Sequence, residues 1–192
     1  MSTGDRRALL VDTAIELIAA RGLRALTHRA LDAELGLPAG SASYYFRSKR
    51  ALIEAIVDRI TTRSRDDFTA AALAPTGAMA PESIAVAIAA WLDRLLTERR
   101  AHLIARHALL IDLLGDRDLH PRLVRSLFST DRARDLFRAI GAADPETRAD
   151  DFVAVVEGAV FDRFAGNRTA LRPDTPESVR QLARILAAHL RA

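Results

Sequence analysis

Apolar residues return every three or four positions along nearly the whole chain. No alternating run bounded by turn residues interrupts them, so the pattern predicts an all-α protein of about nine helices. The first helix is expected from about Asp5 to Arg21, with Leu10, Ala14, Leu17 and Ile18 turned inward and Gly22 at its end. A short second helix follows Thr27, a good N-cap, buries Ala30, Leu31 and Leu35, and closes at Gly36. The third spans roughly Pro38 to Phe46, the proline suiting a first turn whose N–H has no partner in any case. Ser48 then caps a long fourth helix striped by Leu52, Ile53, Ile56, Val57 and Ile60.

The stretch "ALAPTGAMAPES", Ala72 to Ser83, reads as a linker because it gathers prolines, a glycine and small residues. Beyond it, Ile84, Ile88, Trp91, Leu92 and Leu95 stripe a fifth helix, and Leu103, Ile104, Ile111 and Leu114 a sixth that also carries His107 on its apolar face. A seventh follows Pro121, and its Arg122, Arg125, Arg132, Arg134 and Arg138, interleaved with Asp131 and Asp135, predict a solvated face. "DPET" at Asp144 and "TPES" at Thr175 each combine an N-cap, a first-turn proline and an acid, and so start the last two helices.

Composition narrows the class. Hydrophobic residues make up 49% and charged residues 28% of 192, a globular balance. No run approaches the roughly 18–20 apolar residues of a membrane span, and the N-terminus has no apolar leader. A soluble, cytoplasmic protein without membrane contact is expected. The chain has no cysteine, which removes disulfides and thiolate metal sites. The net charge of +3 is unevenly placed: 11 Arg and Lys face 8 Asp and Glu up to Asp66, and 17 face 17 thereafter. A polyanion would therefore dock on the first third.

Within that third, Leu31, Leu35, Leu37 and Tyr45 can close a small core with the first helix around a turn at Gly36, the register of a helix-turn-helix. Many helical proteins carry such a pattern without meeting DNA. The segment "LTHRALDAELGLPAGSASYYFRSKRAL", Leu26 to Leu52, goes further and resembles the DNA-binding region of the TetR family of transcriptional regulators. That family repeats a threonine-capped helix, a glycine-containing turn, a "G-T/S-x-x-x-Y-F-x-S-K-x-x-L" recognition helix and a long connecting helix. Gly40, Ser41, Tyr45, Phe46, Ser48, Lys49 and Leu52 stand at matching places. Two positions depart from the pattern: Asp32 replaces a small residue and Ala42 a leucine. They imply a looser contact between the two helices, or an Asp32 carboxylate that accepts hydrogen bonds at the start of the next helix.

The resemblance implies a helix-turn-helix domain over 1–47, linked through the helix starting at 48 to a helical ligand-binding and dimerisation domain over 48–192. A recognition helix must let its backbone approach the major groove. Ala39, Gly40, Ser41, Ala42 and Ser43 allow that, while hydroxyls can reach bases or phosphates. No charge falls between Pro38 and Phe46, so the grip is expected from Thr27, His28 and Arg29 on one side and Arg47, Lys49 and Arg50 on the other. As in the family, the Tyr45 hydroxyl is expected on a phosphate. Ser41, Ser43 and Tyr44 are the candidates for reading bases, and Phe46 is expected in the core.

One uncharged recognition helix binds weakly, so a homodimer on a palindromic DNA operator is expected, its half-sites about 34–36 Å apart or a multiple of that. The resemblance places dimerisation on the last two helices, where Ala154, Gly158, Asp162 and Ala165 form a small-residue side and Leu182 and Leu186 belong to a partner stripe with Val179 and Leu190. It also implies a cavity for an unknown small-molecule effector, for which Trp91, His107, Phe128, Phe137 and Phe152 are candidate walls. A core role for His107, satisfied by a carbonyl, is the competing reading. The expected function is thus a ligand-responsive repressor, with no cofactor and no metal. A non-specific architectural DNA binder is the alternative, and an all-α enzyme a weaker one, since GxSxG, P-loop, GxGxxG and HExxH patterns are missing.

Overall fold

Ser2 and Asp5 close a reciprocal capping box, and from it the first helix, α1 (Thr3–Arg21), runs with Leu10, Ala14, Ile15, Leu17 and Ile18 on its buried side. In the computed structural model, which describes residues 2–71 and 80–191, the order continues with a 3₁₀ turn (Leu23–Ala25), α2 (His28–Glu34), α3 (Ser41–Tyr45) and α4 (Lys49–Ala71). It ends with α5 (Pro81–Glu98), α6 (Arg100–Asp112), α7 (Leu119–Val124), α8 (Thr130–Ala139), α9 (Pro145–Ala165) and α10 (Pro176–Leu190). No strand occurs among the described residues, so the all-α expectation holds. None of the described helices is long and apolar enough to cross a membrane. Most of the expected linker, Ala72 to Ser83, lies outside the described residues; its end, Pro81 to Ser83, already belongs to the first turn of α5.

The described chain folds into two compact units. The first comprises Met1–Arg65 and Ala101–Leu127, so the unit holding the helix-turn-helix extends past residue 47 and takes in α6 and α7. Its core joins Leu10, Ile15, Leu26, Leu31, Phe46, Leu52 and Ile56 to Leu109, Leu119 and Leu123. Ion pairs reinforce it at the surface: Arg59 grips Asp12 through two bonds of 2.8 and 2.6 Å, and Arg122 reaches Asp58. Asp116 accepts from the backbone N–H groups of Asp118 and Leu119 and from Arg50. The Leu119 N–H, with Arg50 beside it, holds the Asp116 carboxyl below its ordinary range.

Two expectations fail from α6 onward. The buried face of α6 is Leu103, Ala105, Arg106 and Leu109, followed by Leu113, whereas Ile111 and Leu114 are 72% and 66% exposed. The cause is Arg106: it is 1% exposed and donates to the carbonyls of Leu123 and Val124 and to the Ser126 hydroxyl. A buried guanidinium thus occupies the middle of the inward face, where a hydrophobic count sees a polar gap. The same contacts explain why the expected seventh helix is two. Arg106 takes the last carbonyls of α7, and Ser129 starts α8 afresh by accepting from the Arg132 N–H.

The second unit holds Asp66–Arg100 and Phe128–Ala192. Helices α5 and α10 run antiparallel, joined at one end by Asp93, which accepts from the Asp174 N–H and the Ser178 hydroxyl, and at the other by Arg191 and Glu82 at 3.1 Å. Of the arginines expected on a solvated face, Arg134 meets Asp131 and Asp150 and Arg138 meets Asp135 and Glu146 in ion pairs. Asp144 and Thr175 cap α9 and α10 by accepting from Thr147 and Ser178 N–H groups, with Pro145 and Pro176 leading each helix. Replacing Thr175 by alanine should cost about 1 kcal/mol, read as an earlier midpoint in urea unfolding followed by helical circular dichroism.

Candidate nucleic-acid interface

Helix α2 starts where the Thr27 hydroxyl oxygen accepts from the Ala30 N–H, and ends at Gly36, whose φ of 61° turns the chain. Gly40, at φ 91°, makes the second turn, and that break leaves α3 shorter than the Pro38–Phe46 span read from the sequence. What fixes α3 against α2 is Asp32. Only 4% exposed, it accepts from the Gly40 N–H at 2.8 Å through one carboxylate oxygen and from the Ala42 N–H at 2.7 Å through the other. Of the two readings of this departure, hydrogen bonding to the start of the next helix is the one realised. It does for α3 what a local N-cap side chain does elsewhere, since Gly40 has none to offer.

Ala42 is fully buried, the small partner that lets the two helices meet. Phe46 is fully buried as well, with the Arg7 guanidinium 4.4 Å above its ring and Arg7 also donating to the Tyr45 carbonyl. Packing of these two residues directs the rest of α3 outward. Tyr44 is 69% exposed, its ring edge-on to that of half-buried Tyr45 at 5.3 Å and covered by Arg47 at 6.0 Å. Ser41 and Ser43 are partly exposed, and each donates its hydroxyl to a backbone carbonyl, that of Pro38 and that of Gly40.

Around this neutral helix, Thr27, Arg29, Arg47 and Lys49 are exposed, and neither Arg29, Arg47 nor Lys49 forms an ion pair among the described residues. Arg50 differs: it is held by Glu54 at 2.8 Å and by Asp116. The Nε2 atom of His28 is covered by protein without a hydrogen-bond partner among the described residues, so a phosphate could be met only by the other ring nitrogen. The candidate DNA residues therefore gather on one stretch, a small uncharged helix between unpaired cations.

The candidate effector residues divide. Trp91 and Phe128 meet edge-on at 5.9 Å, Phe68 joins Trp91 at 5.5 Å, and Phe137 meets Phe152 at 5.7 Å, all in the second unit. Phe68 was not legible as a wall residue because it sits past the apolar stripe of α4. The Trp91 indole N–H is buried with no acceptor among the described residues. His107 belongs to the first unit, where its Nδ1–H donates to the Leu103 carbonyl at 2.8 Å, as the core reading expects.

On α9, Ala154, Gly158 and Ala165 are exposed, and a Cβ placed on Gly158 would meet nothing within 4 Å. Phe161, 45% exposed, lies on the same side, while Asp162 is occupied within its own chain by Arg168 and the Asn167 N–H. Steps of four alone led to Asp162; the 3.6-residue turn selects Phe161. Leu182 and Leu186 are wholly buried within the second unit, which removes them from any contact with another molecule.

Residues 10–56 match the model of bacterial regulatory proteins of the tetR family, and residues 79–191 match that of the tetracyclin repressor-like C-terminal domain. Comparison with curated proteins gives no match. Among solved structures, a TetR-like transcriptional regulator from Rhodococcus sp. RHA1 superposes with a TM-score of 0.70 at 18% identity, over 99% of this chain and 96% of its own. A TetR family member from Streptomyces coelicolor A3 gives 0.66 at 22% identity, covering 94% and 98%. The multidrug binding protein EbrR, complexed with malachite green, gives 0.63 at 20%, covering 98% and 99%. At these identities the structures establish a shared fold.

Proposed function

The chain belongs to the TetR family of bacterial regulatory proteins, and we propose that it is a ligand-responsive repressor that binds a palindromic operator as a homodimer. Residues 1–47, together with Lys49 at the start of the linking helix, would carry the DNA contact, and the remainder of 48–192 effector binding and dimerisation. The observation that carries this reading is the uncharged α3, with Tyr44 69% exposed, flanked by the unpaired Arg29, Arg47 and Lys49. Thr27, Arg29, Tyr45 and Lys49 hold phosphates and set the register; Gly40 lets the backbone come close; Ser41, Ser43 and Tyr44 face bases. His28 contributes least, since one ring nitrogen is covered.

The exposed Ala154, Gly158, Phe161 and Ala165 support dimerisation through α9, a row where small residues would admit a second helix and one aromatic ring would anchor it. The cluster of Phe68 with the buried Trp91 and Phe128 is the aromatic lining that an apolar or aromatic effector would need. EbrR, with the same fold, is complexed with malachite green. An effector releases the operator only through its preference for the arrangement that does not bind DNA, with about 1.4 kcal/mol of differential affinity giving tenfold release.

Selection of bound duplexes from a randomised pool tests the reading, because one palindrome should be enriched over bulk DNA. Within that experiment, Lys49→Ala should weaken every duplex alike and flatten the salt dependence of log K by about 2, one phosphate from each of two protomers. Tyr44→Ala should instead change which bases are enriched. An affinity that Lys49→Ala leaves unaltered would displace α3 from the groove.

A further inference from the structure

Resting on the DNA-docking reading above, we propose that Ser41 and Ser43 read base edges that carry a hydrogen-bond donor, the 6-amino group of adenine or the 4-amino group of cytosine, in each operator half-site. The Ser41 Oγ lies 2.6 Å from the Pro38 carbonyl oxygen and the Ser43 Oγ 2.7 Å from that of Gly40. A carbonyl oxygen can only accept, so both hydroxyl protons point back into the chain and the outward side of each oxygen carries lone pairs.

The rest of the face agrees. The exposed Ala39 side chain has nothing to donate, Gly40 has no side chain, and Ala42 is buried. The Gly40 and Ala42 N–H groups, the donors nearest the start of α3, are both taken by Asp32. From Ala39 to Ser43 the side chains therefore offer acceptors outward, and the first side-chain donor along α3 whose proton is not given to a backbone carbonyl is the Tyr44 hydroxyl.

In the major groove adenine and cytosine present an amino donor, whereas guanine presents O6 and N7 and thymine O4 and a methyl, with no donor. An amino group adds a hydrogen bond to what the serines already make. A keto oxygen or ring nitrogen would gain one only if the hydroxyl turned away from its carbonyl, so one bond would replace another. Each carbonyl also accepts a backbone N–H, from Ser41 and from Tyr44, so a turned hydroxyl would orphan nothing, and the preference rests on the single hydrogen bond that an amino group adds. The two positions beneath Ser41 and Ser43 should consequently discriminate against guanine and thymine on the contacted strand.

The test uses the full-length protein and its enriched duplex. At each adenine or cytosine of the half-site the amino group is removed by substituting purine or 2-pyrimidinone. Affinity should fall about three- to tenfold at the contacted positions, the effect of one lost hydrogen bond. The loss should vanish for Ser41→Ala at one position and for Ser43→Ala at another; comparing protein variants on the same duplex cancels any change in base pairing. Substituting 7-deazaadenine, which keeps the amino group, should have no effect. Sensitivity to the 7-deaza change without sensitivity to amino removal, or losses that persist in both serine variants, would overturn the assignment while leaving the regulator reading intact. Failure to enrich any half-site would remove both.

Discussion

Replacing Asp32 by alanine should lower the stability of the protein by about 3 kcal/mol, because two backbone N–H groups lose their acceptor and that of Ala42 stays buried without one. The effect on DNA binding should be larger than stability alone implies. The carboxylate is the polar link that sets where α3 begins relative to α2, so its loss frees the angle at which Ser41, Ser43 and Tyr44 are presented. Urea unfolding at fixed protein concentration measures the first quantity. Operator titration at a temperature where the variant remains folded measures the second, with at least about a tenfold loss expected for a displaced set of base contacts. Asp32→Asn keeps one acceptor oxygen but turns an NH₂ toward the other backbone donor, so it should lie nearer alanine than wild type. A variant with unchanged stability and operator affinity would remove Asp32 from this role.

Gly158→Arg should leave the folded chain intact and convert the dimer to a monomer. Nothing within 4 Å opposes a Cβ at this position, and an interior helical glycine gives way to a residue of higher helix propensity, worth about 0.5–1 kcal/mol to α9. In a dimer packed along Ala154, Gly158, Phe161 and Ala165, however, the arginine would hold two helices apart and bury a charge. Sedimentation should give half the wild-type mass, and operator affinity should fall about a hundred- to ten-thousandfold as the second head ceases to bind intramolecularly. A Gly158→Arg protein that stays dimeric places the interface elsewhere.

Much of the DNA-binding end was legible because its signals are local. Thr27, Gly36 and the small residues of "GSAS" each determine backbone conformation within a few residues, and Phe46 has only apolar surface to offer. The capping motifs at Asp144 and Thr175 were legible for the same reason. What escaped the sequence depends on contacts across many positions. Arg106 is an arginine by type but a core residue by placement, because it finds three acceptors some twenty residues away; without that knowledge Ile111 and Leu114 pass for the inward face. Nothing between Arg125 and Ser129 is a glycine or proline, so the break between α7 and α8 leaves no punctuation. Leu182 and Leu186 are apolar at helical spacing, which fits an intramolecular core and a partner surface equally, and only burial against α5 decides.

The most direct measurement is methylation interference on the enriched operator with dimethyl sulfate, which modifies guanine N7 in the major groove and adenine N3 in the minor groove. Binding should be blocked by guanine N7 methylation in two patches about 34–36 Å apart, or a multiple of that, with adenine N3 methylation tolerated between and within them. Interference confined to adenine N3, or a single unpaired patch of interference, would contradict docking of α3 in the major groove by two copies of the chain.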